Sequence, residues 1–364
     1  MDWNNLIFPI PKQSYNKMSY PNQIIWVPKK DYNYKDKLKY NSICYQSSQN
    51  ILAGKKTKIL KKQTGKLIYH TKSTSMVQRV PSITFQIDNK FLNDNTSIQN
   101  NHYNLNSYIP CVFLESSIPT DKLLIYFHSN YEDLGCSYNF CNIICDKLKI
   151  NVLAVEYPNY GIYKTNQSSN ADNIINDANI IFQFITEVEN IKEQNIILLG
   201  RCIGSGPATY LATKHNVMAL ILLSPFKSIK EAVKTMFPKL NMGYLLKNFV
   251  KERFNNYEII SRVVSPILFI HGKEDTMIPP VHSIDLIERC KAPAKLVIPV
   301  NMTHSHFDFF QDVIVHVRDF IKLFTLNEEE EEGLNDLDCD GTDEGIEREV
   351  CYIDFPGWMF RPPS

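Results

Sequence analysis

Six short apolar runs punctuate the middle of the chain, at residues 123–127, 152–155, 196–199, 219–223, 267–270 and 296–300. They show little polar alternation, which is the pattern of strands buried on both faces, as in a parallel sheet. Amphipathic stretches separate them. Within 172–189, for example, Ile174, Ile175, Ala178, Ile181, Phe182 and Ile185 recur at helical spacing. Strands and helices alternating in this way predict an α/β fold with a mostly parallel, doubly wound sheet. Upstream, residues 109–114 also read as a strand, while 24–27 and 82–87 read as edge strands joined by long polar connections. The Asn-rich stretch 93–107 reads as a mobile insertion, and 307–326 as the final helix.

Residues 228–263 interrupt the alternation with a helical insertion carrying Met236, Phe237, Leu240, Tyr244, Leu245, Leu246 and Phe249. It falls where a cap over an active site would sit, and its apolar residues either close their own small core or meet an apolar ligand. The organisation that follows is an N-terminal region of edge strands and basic, polar insertion at 1–106, an α/β core at 107–326 with the cap at 228–263, and an acidic linker and aromatic, Pro-rich tail at 327–364.

Charge changes this picture only locally. The 364 residues carry no formal net charge and are 44% hydrophobic, so the basic excess of a nucleic-acid binder is missing. Residues 12–90 nevertheless hold sixteen Lys or Arg against three acids, and 328–349 hold twelve acids against one Arg. Two solvated segments of opposite sign explain this; a basic face resting peripherally on anionic membrane, or mutual attraction of the two segments, are the alternatives.

No run reaches the ~18 apolar residues of a membrane span and residues 1–20 do not read as a signal peptide, so a cytoplasmic location is expected. The nine cysteines show no paired C-x-x-C spacing, and neither a disulfide framework nor a zinc cage is expected. Cys141 and Cys145, four apart on a helix, read as core. In the tail, Asp336, Asp338, Asp340, Gly341 and Glu347 match the spacing of a calcium loop, but Asp343 and Gly345 break its pattern and no second loop accompanies it. No metal or cofactor is expected.

The chemistry concentrates at Gly200-Arg-Cys-Ile-Gly204, directly after an apolar run and before a helical stretch. Glycines there allow a sharp strand-to-helix turn that lifts the central side chain above the sheet, so Cys202 reads as a nucleophile. A cysteine nucleophile needs a base, a group to orient it and donors for the oxyanion. His304 follows the last apolar run, Asp275 follows the run before it, and the order nucleophile, acid, histidine suits this architecture. Ile203 N–H and Asn130 N–H are the expected oxyanion donors. His306 competes with His304, and Glu274 with Asp275, while His128 reads as holding the oxyanion loop.

Several motifs in order carry a resemblance: 128–135 (His-Ser-Asn-Tyr-Glu-Asp-Leu-Gly), 155–161 (Val-Glu-Tyr-Pro-Asn-Tyr-Gly), 200–207, 270–275 (Ile-His-Gly-Lys-Glu-Asp) and the His304 segment. Over about residues 107–326 the chain resembles the α/β-hydrolase superfamily, in the branch of serine-aminopeptidase-like hydrolases and protein depalmitoylases. The resemblance implies an acyl hydrolase acting on an ester or thioester, with an acylated protein among the substrates it admits. Cysteine stands where the branch has serine, Ser129 stands where it has glycine, and the N-terminal cysteine cluster of the depalmitoylases has no counterpart. A degenerate hydrolase serving as a scaffold is therefore the alternative, and a peptidase ranks below it. Thiol attack on a thioester exchanges like for like, so an active Cys202 favours thioesters. Oligomeric state is not legible.

Overall fold

A computed structural model describes residues 7–20, 22–29, 107–236 and 252–330. In chain order these contain β1 (Ile24–Pro28), β2 (Tyr108–Leu114), β3 (Leu123–Phe127), α1 (Leu134–Leu148), β4 (Asn151–Val155), α2 (Ala171–Gln183), β5 (Ile196–Arg201), α3 (Ser205–Ala212), β6 (Ala219–Leu223), α4 (Ile229–Met236), α5 (Asn256–Ile259), β7 (Ile267–Ile270), α6 (Val281–Ile287), β8 (Ala294–Val297) and α7 (Val315–Glu330). One sheet takes all eight strands in the order β1-β2-β4-β3-β5-β6-β7-β8. β2 runs antiparallel to both β1 and β4, and every other pairing is parallel. The order reverses around β3, which lies between β4 and β5, so the crossover helices are sent to opposite faces.

Each strand divides its side chains between two cores with a period of two. Leu123, Ile125 and Phe127 of β3 join Leu198 of β5 on the face covered by Ile174, Ala178 and Ile181 of α2. Leu124 and Tyr126 join Ile197 and Leu199 on the other, covered by Phe140, Cys141 and Ile144 of α1 and Val317 and Phe320 of α7. This double burial is why the runs lack polar positions. Caps set where the helices begin: Asp133 accepts from Cys136 N at 3.1 Å to open α1, and Asn170 accepts from Asn173 N at 2.9 Å to open α2.

Two boundaries differ from expectation. The last strand lies at Ala294–Val297 rather than 296–300, because Pro299 has no amide to give a ladder. The helix expected over 172–189 ends at Gln183 and continues as a wider π turn, Phe184–Val188, closed by Glu189 N to Phe184 O. The edge strand expected at 82–87, the insertion at 93–106, cap residues 237–251, the calcium-like spacing and the tail beyond 330 lie outside the described residues. Among the described residues no helix is long and apolar enough to cross a membrane, and no group of metal-ligating side chains gathers.

The closest backbone approach in the sheet occurs where β5 turns into α3. A Cβ on Gly204 would lie 2.1 Å from Phe127 O at the end of β3, and one on Gly200 would lie 2.3 Å from Gly204 O. Neither obstacle is a side chain that can swing aside. Gly204→Ala is expected to lower unfolding free energy by at least about 2 kcal/mol, read from urea denaturation; an unchanged midpoint would mean that the turn is looser than this packing requires.

Candidate active site

β5 ends at Arg201 and the chain enters a 3₁₀ turn, Cys202–Gly204, that leads into α3. Cys202 has φ 50°, a left-handed conformation that costs a residue with a Cβ about 1–2 kcal/mol. Hydrogen bonds hold it there. Ser205 Oγ donates to the Cys202 carbonyl at 2.6 Å, and Asn256 Nδ2 of α5 donates to Ser205 Oγ at 3.2 Å and to Phe226 O at 2.9 Å. Backbone strain that its surroundings over-determine is characteristic of a working side chain.

Asp275 sits in the loop after β7 and His304 in the loop after β8. His304 Nδ1 lies 2.7 Å from Asp275 Oδ2, while Asp275 Oδ1 accepts from Met277 N at 3.0 Å and Ile278 N at 2.8 Å. Burial works to raise the Asp275 pKa, but the hydrogen bonds from His271 and His304 and the charge of His304 outweigh it and hold the carboxyl well below its ordinary range. The acceptor at Nδ1 assigns that nitrogen the proton and turns Nε2 toward the elbow. Nε2 is buried with no well-aligned hydrogen-bond partner, Cys202 Sγ included, yet Cys202 is near enough to govern its titration. Burial pulls the His304 pKa down, while the negative charge of Cys202 and the hydrogen bond to Asp275 prevail and raise it from 6.5 to about 10.

The competing residues fall elsewhere. His306 is exposed and its amide closes a turn on Thr303 Oγ1 at 2.9 Å, and Glu274 is also exposed. Ile203 follows Cys202 in the turn, and Asn130 lies in the loop after β3, both buried. Gly204 brings the turn against the end of β3, since its Cβ position touches Phe127 O and lies 3.0 Å from His128 O. The Asn130 side chain donates to Ile7 O at 3.3 Å, and Ser129 is buried, its hydroxyl 3.5 Å from Asn130 Oδ1.

No family model matches the chain. It is 26% identical over 219 residues to alpha/beta hydrolase domain-containing protein 17B of Homo sapiens, covering 60% of this chain and 73% of that protein. With human protein 17C it shares 26% over 211 residues, covering 58% and 61%. The solved esterase PF2001 of Pyrococcus furiosus matches with a TM-score of 0.50 at 18% identity, covering 60% of this chain and 86% of the esterase. The chain has the α/β-hydrolase fold.

A buried pair supports the loop after β3. His128 Nδ1 lies 2.8 Å from Ser129 O and Nε2 3.0 Å from Glu156 Oε1. Both partners are acceptors, so both nitrogens carry protons; burial opposes that charge, and Glu156 and Ser129 O together raise the pKa in spite of it. Glu156 also accepts from Tyr15 OH at 2.8 Å, Leu134 N at 3.2 Å and Tyr157 N at 3.2 Å. Glu156, Ser205 and Asn256 were not singled out from sequence. Glu156 lies within the 155–161 motif, directly after an apolar run, and those were the available signs of it.

These titrations act on stability at opposite ends of the pH scale. Asp275, depressed from 3.8, contributes above about pH 4 and loses that contribution as pH falls. His304, raised to about 10, contributes fully below 6.5 and loses its share as pH rises toward 10. Cys202→Ala removes the charge His304 senses, so the His304 contribution should be smaller and its alkaline loss complete at lower pH, measured by pH-resolved urea unfolding and by imidazole NMR. A His304 titration identical in wild type and Cys202→Ala would show that the two side chains do not communicate.

Proposed function

We propose that this hydrolase cleaves acyl thioesters, S-acylated protein among them, with Cys202 as nucleophile, His304 as acid and base and Asp275 as its orienter. The observation that carries the reading is the strained Cys202 facing a buried His304 Nε2 whose other nitrogen is fixed by Asp275. The thiolate attacks the acyl carbonyl, and the oxyanion forms toward the amides of Ile203 and Asn130. His304 then gives its proton to the departing thiol. Water, deprotonated by His304, attacks the acyl-Cys202, releasing the carboxylic acid and the free thiol.

Sulfur selects the substrate through the first step. Thioester for thioester is an even exchange, whereas forming acyl-cysteine from an oxygen ester runs uphill. The intact Asp275–His304 pair favours catalysis over a scaffold, since a binding module has no need of a desolvated ion pair behind its elbow.

Wild type, Cys202→Ser and Cys202→Ala compared on matched acyl thioester and oxygen-ester substrates test both halves of the reading. Cys202→Ala should lose at least about 10³-fold in kcat, and Cys202→Ser should shift the thioester-to-ester ratio toward oxygen esters. Equal turnover by wild type and Cys202→Ala would remove Cys202 from the mechanism.

A further inference from the structure

Arg201, between Gly200 and Cys202, has a largely buried side chain, and both of its terminal guanidinium nitrogens have partners. Nη1 bonds and pairs with the Glu132 carboxylate, Nη2 donates to the backbone carbonyl of His304 at 3.2 Å, and Cζ lies 5.0 Å from the centre of the Phe307 ring. Glu132 is fixed in turn: its other oxygen accepts from Ser137 Oγ of α1 at 2.9 Å and, more weakly, from Tyr126 OH of β3 at 3.4 Å.

The three segments joined through Arg201 are the ones the chemistry needs. Arg201 precedes the nucleophile, Glu132 lies two residues beyond Asn130 in the oxyanion loop, and the carbonyl belongs to His304 itself. Asp275 orients the His304 ring, but nothing in that contact sets how far the His304 loop stands from the elbow. A rigid guanidinium fork can do so, because its two nitrogens have a constant separation and its plane lies over Phe307. Lysine, with one point of charge on a flexible stem, can satisfy either the carboxylate or the carbonyl and has no plane to stack. Burial opposes the charge on Arg201, and Glu132, Tyr126 and Cys202 favour it, so the fork sits within electrostatic reach of the nucleophile.

We propose that Arg201 is a positioning residue for the reaction at Cys202, spacing the loop that carries Asn130 and the loop that carries His304 against the elbow. The proposal rests on Cys202 being the nucleophile. It also explains why a charged pair is buried here, where removing one member alone would leave a desolvated charge and removing both would not.

The test uses the full chain and an octanoyl thioester whose released thiol is read with a disulfide reagent, alongside thermal unfolding of each variant. Arg201→Lys, Arg201→Gln and Glu132→Gln are expected to lower kcat by roughly 10- to 100-fold with KM within about two-fold of wild type. The double variant Arg201→Gln/Glu132→Gln should lose no more than the worse single one, because both act through one link. Should Arg201→Gln fail to fold, Arg201→Lys and the double variant, which leaves no unpaired buried charge, carry the comparison. A folded Arg201→Lys with kcat within about two-fold of wild type, losses confined to KM, or losses that multiply in the double variant would each overturn the role of Arg201. Cys202→Ala separates the two readings. Wild type no faster than Cys202→Ala overturns the thioesterase reading and Arg201 with it, whereas an active wild type with indifferent Arg201 variants overturns Arg201 alone.

Discussion

The active site depends on one backbone constraint, the approach of the 200–204 turn to the end of β3. Gly204 can lie against Phe127 O only because it has no Cβ, and the same closure forces Cys202 to φ 50°. Two consequences come from one geometry. The thiol is turned away from the packed sheet toward the loops after β7 and β8, and the amide that follows it is brought beside the loop after β3. The left-handed cost of about 1–2 kcal/mol is borne at one residue. The hydrogen bonds of Ser205 and Asn256 keep the turn from relaxing.

Around this turn the protein places two buried ion pairs, His128 with Glu156 and His304 with Asp275, and a partly buried one, Arg201 with Glu132. Buried pairs are poor sources of net stability, because desolvation consumes much of the Coulombic gain. Their distribution points to placement instead. Between them they fix two loops on the carboxyl edge, the one after β3 through the carbonyl of Ser129 and the carboxylate of Glu132, and the one after β8 through the imidazole and the carbonyl of His304. Apolar packing could seal those loops, but it is non-directional and could not specify an orientation as hydrogen bonds do.

The fold was legible because its strands are buried on both faces, so the runs at 123–127, 196–199 and 267–270 stand out without any knowledge of pairing. Cys202, Asp275 and His304 could be picked out as candidates because the elbow spacing and the chain order of loops are local properties, and the structure sets Cys202 on the turn and Asp275 against His304. Choosing His304 over His306 depended on a motif's offset, and the structure supplies the physical difference: one ring is buried on Asp275 and the other is exposed. The Arg201–Glu132 link was not legible. Its members stand 69 residues apart, and each alone looks like an ordinary charge on a loop. The last strand was placed too late because apolar residues continue past Pro299, where the ladder cannot.

Cysteine also agrees with the electrostatics of its partner. A histidine raised to about 10 is protonated near neutrality, and an imidazolium cannot take the proton of a serine hydroxyl. In the reaction proposed above, a protonated ring stands ready to protonate a departing sulfur. The rise depends in part on the charge of Cys202, so nucleophile and base are adjusted to one another and not independently to serine chemistry. Under the proposed reaction, hydrolysis of the acyl-cysteine comes when that charge is gone. His304 then loses an interaction that raises its pKa, and the same ring becomes able to act as base toward water. On that reading the alternation from acid to base follows the covalent state of Cys202, with Asp275 holding the ring through Nδ1.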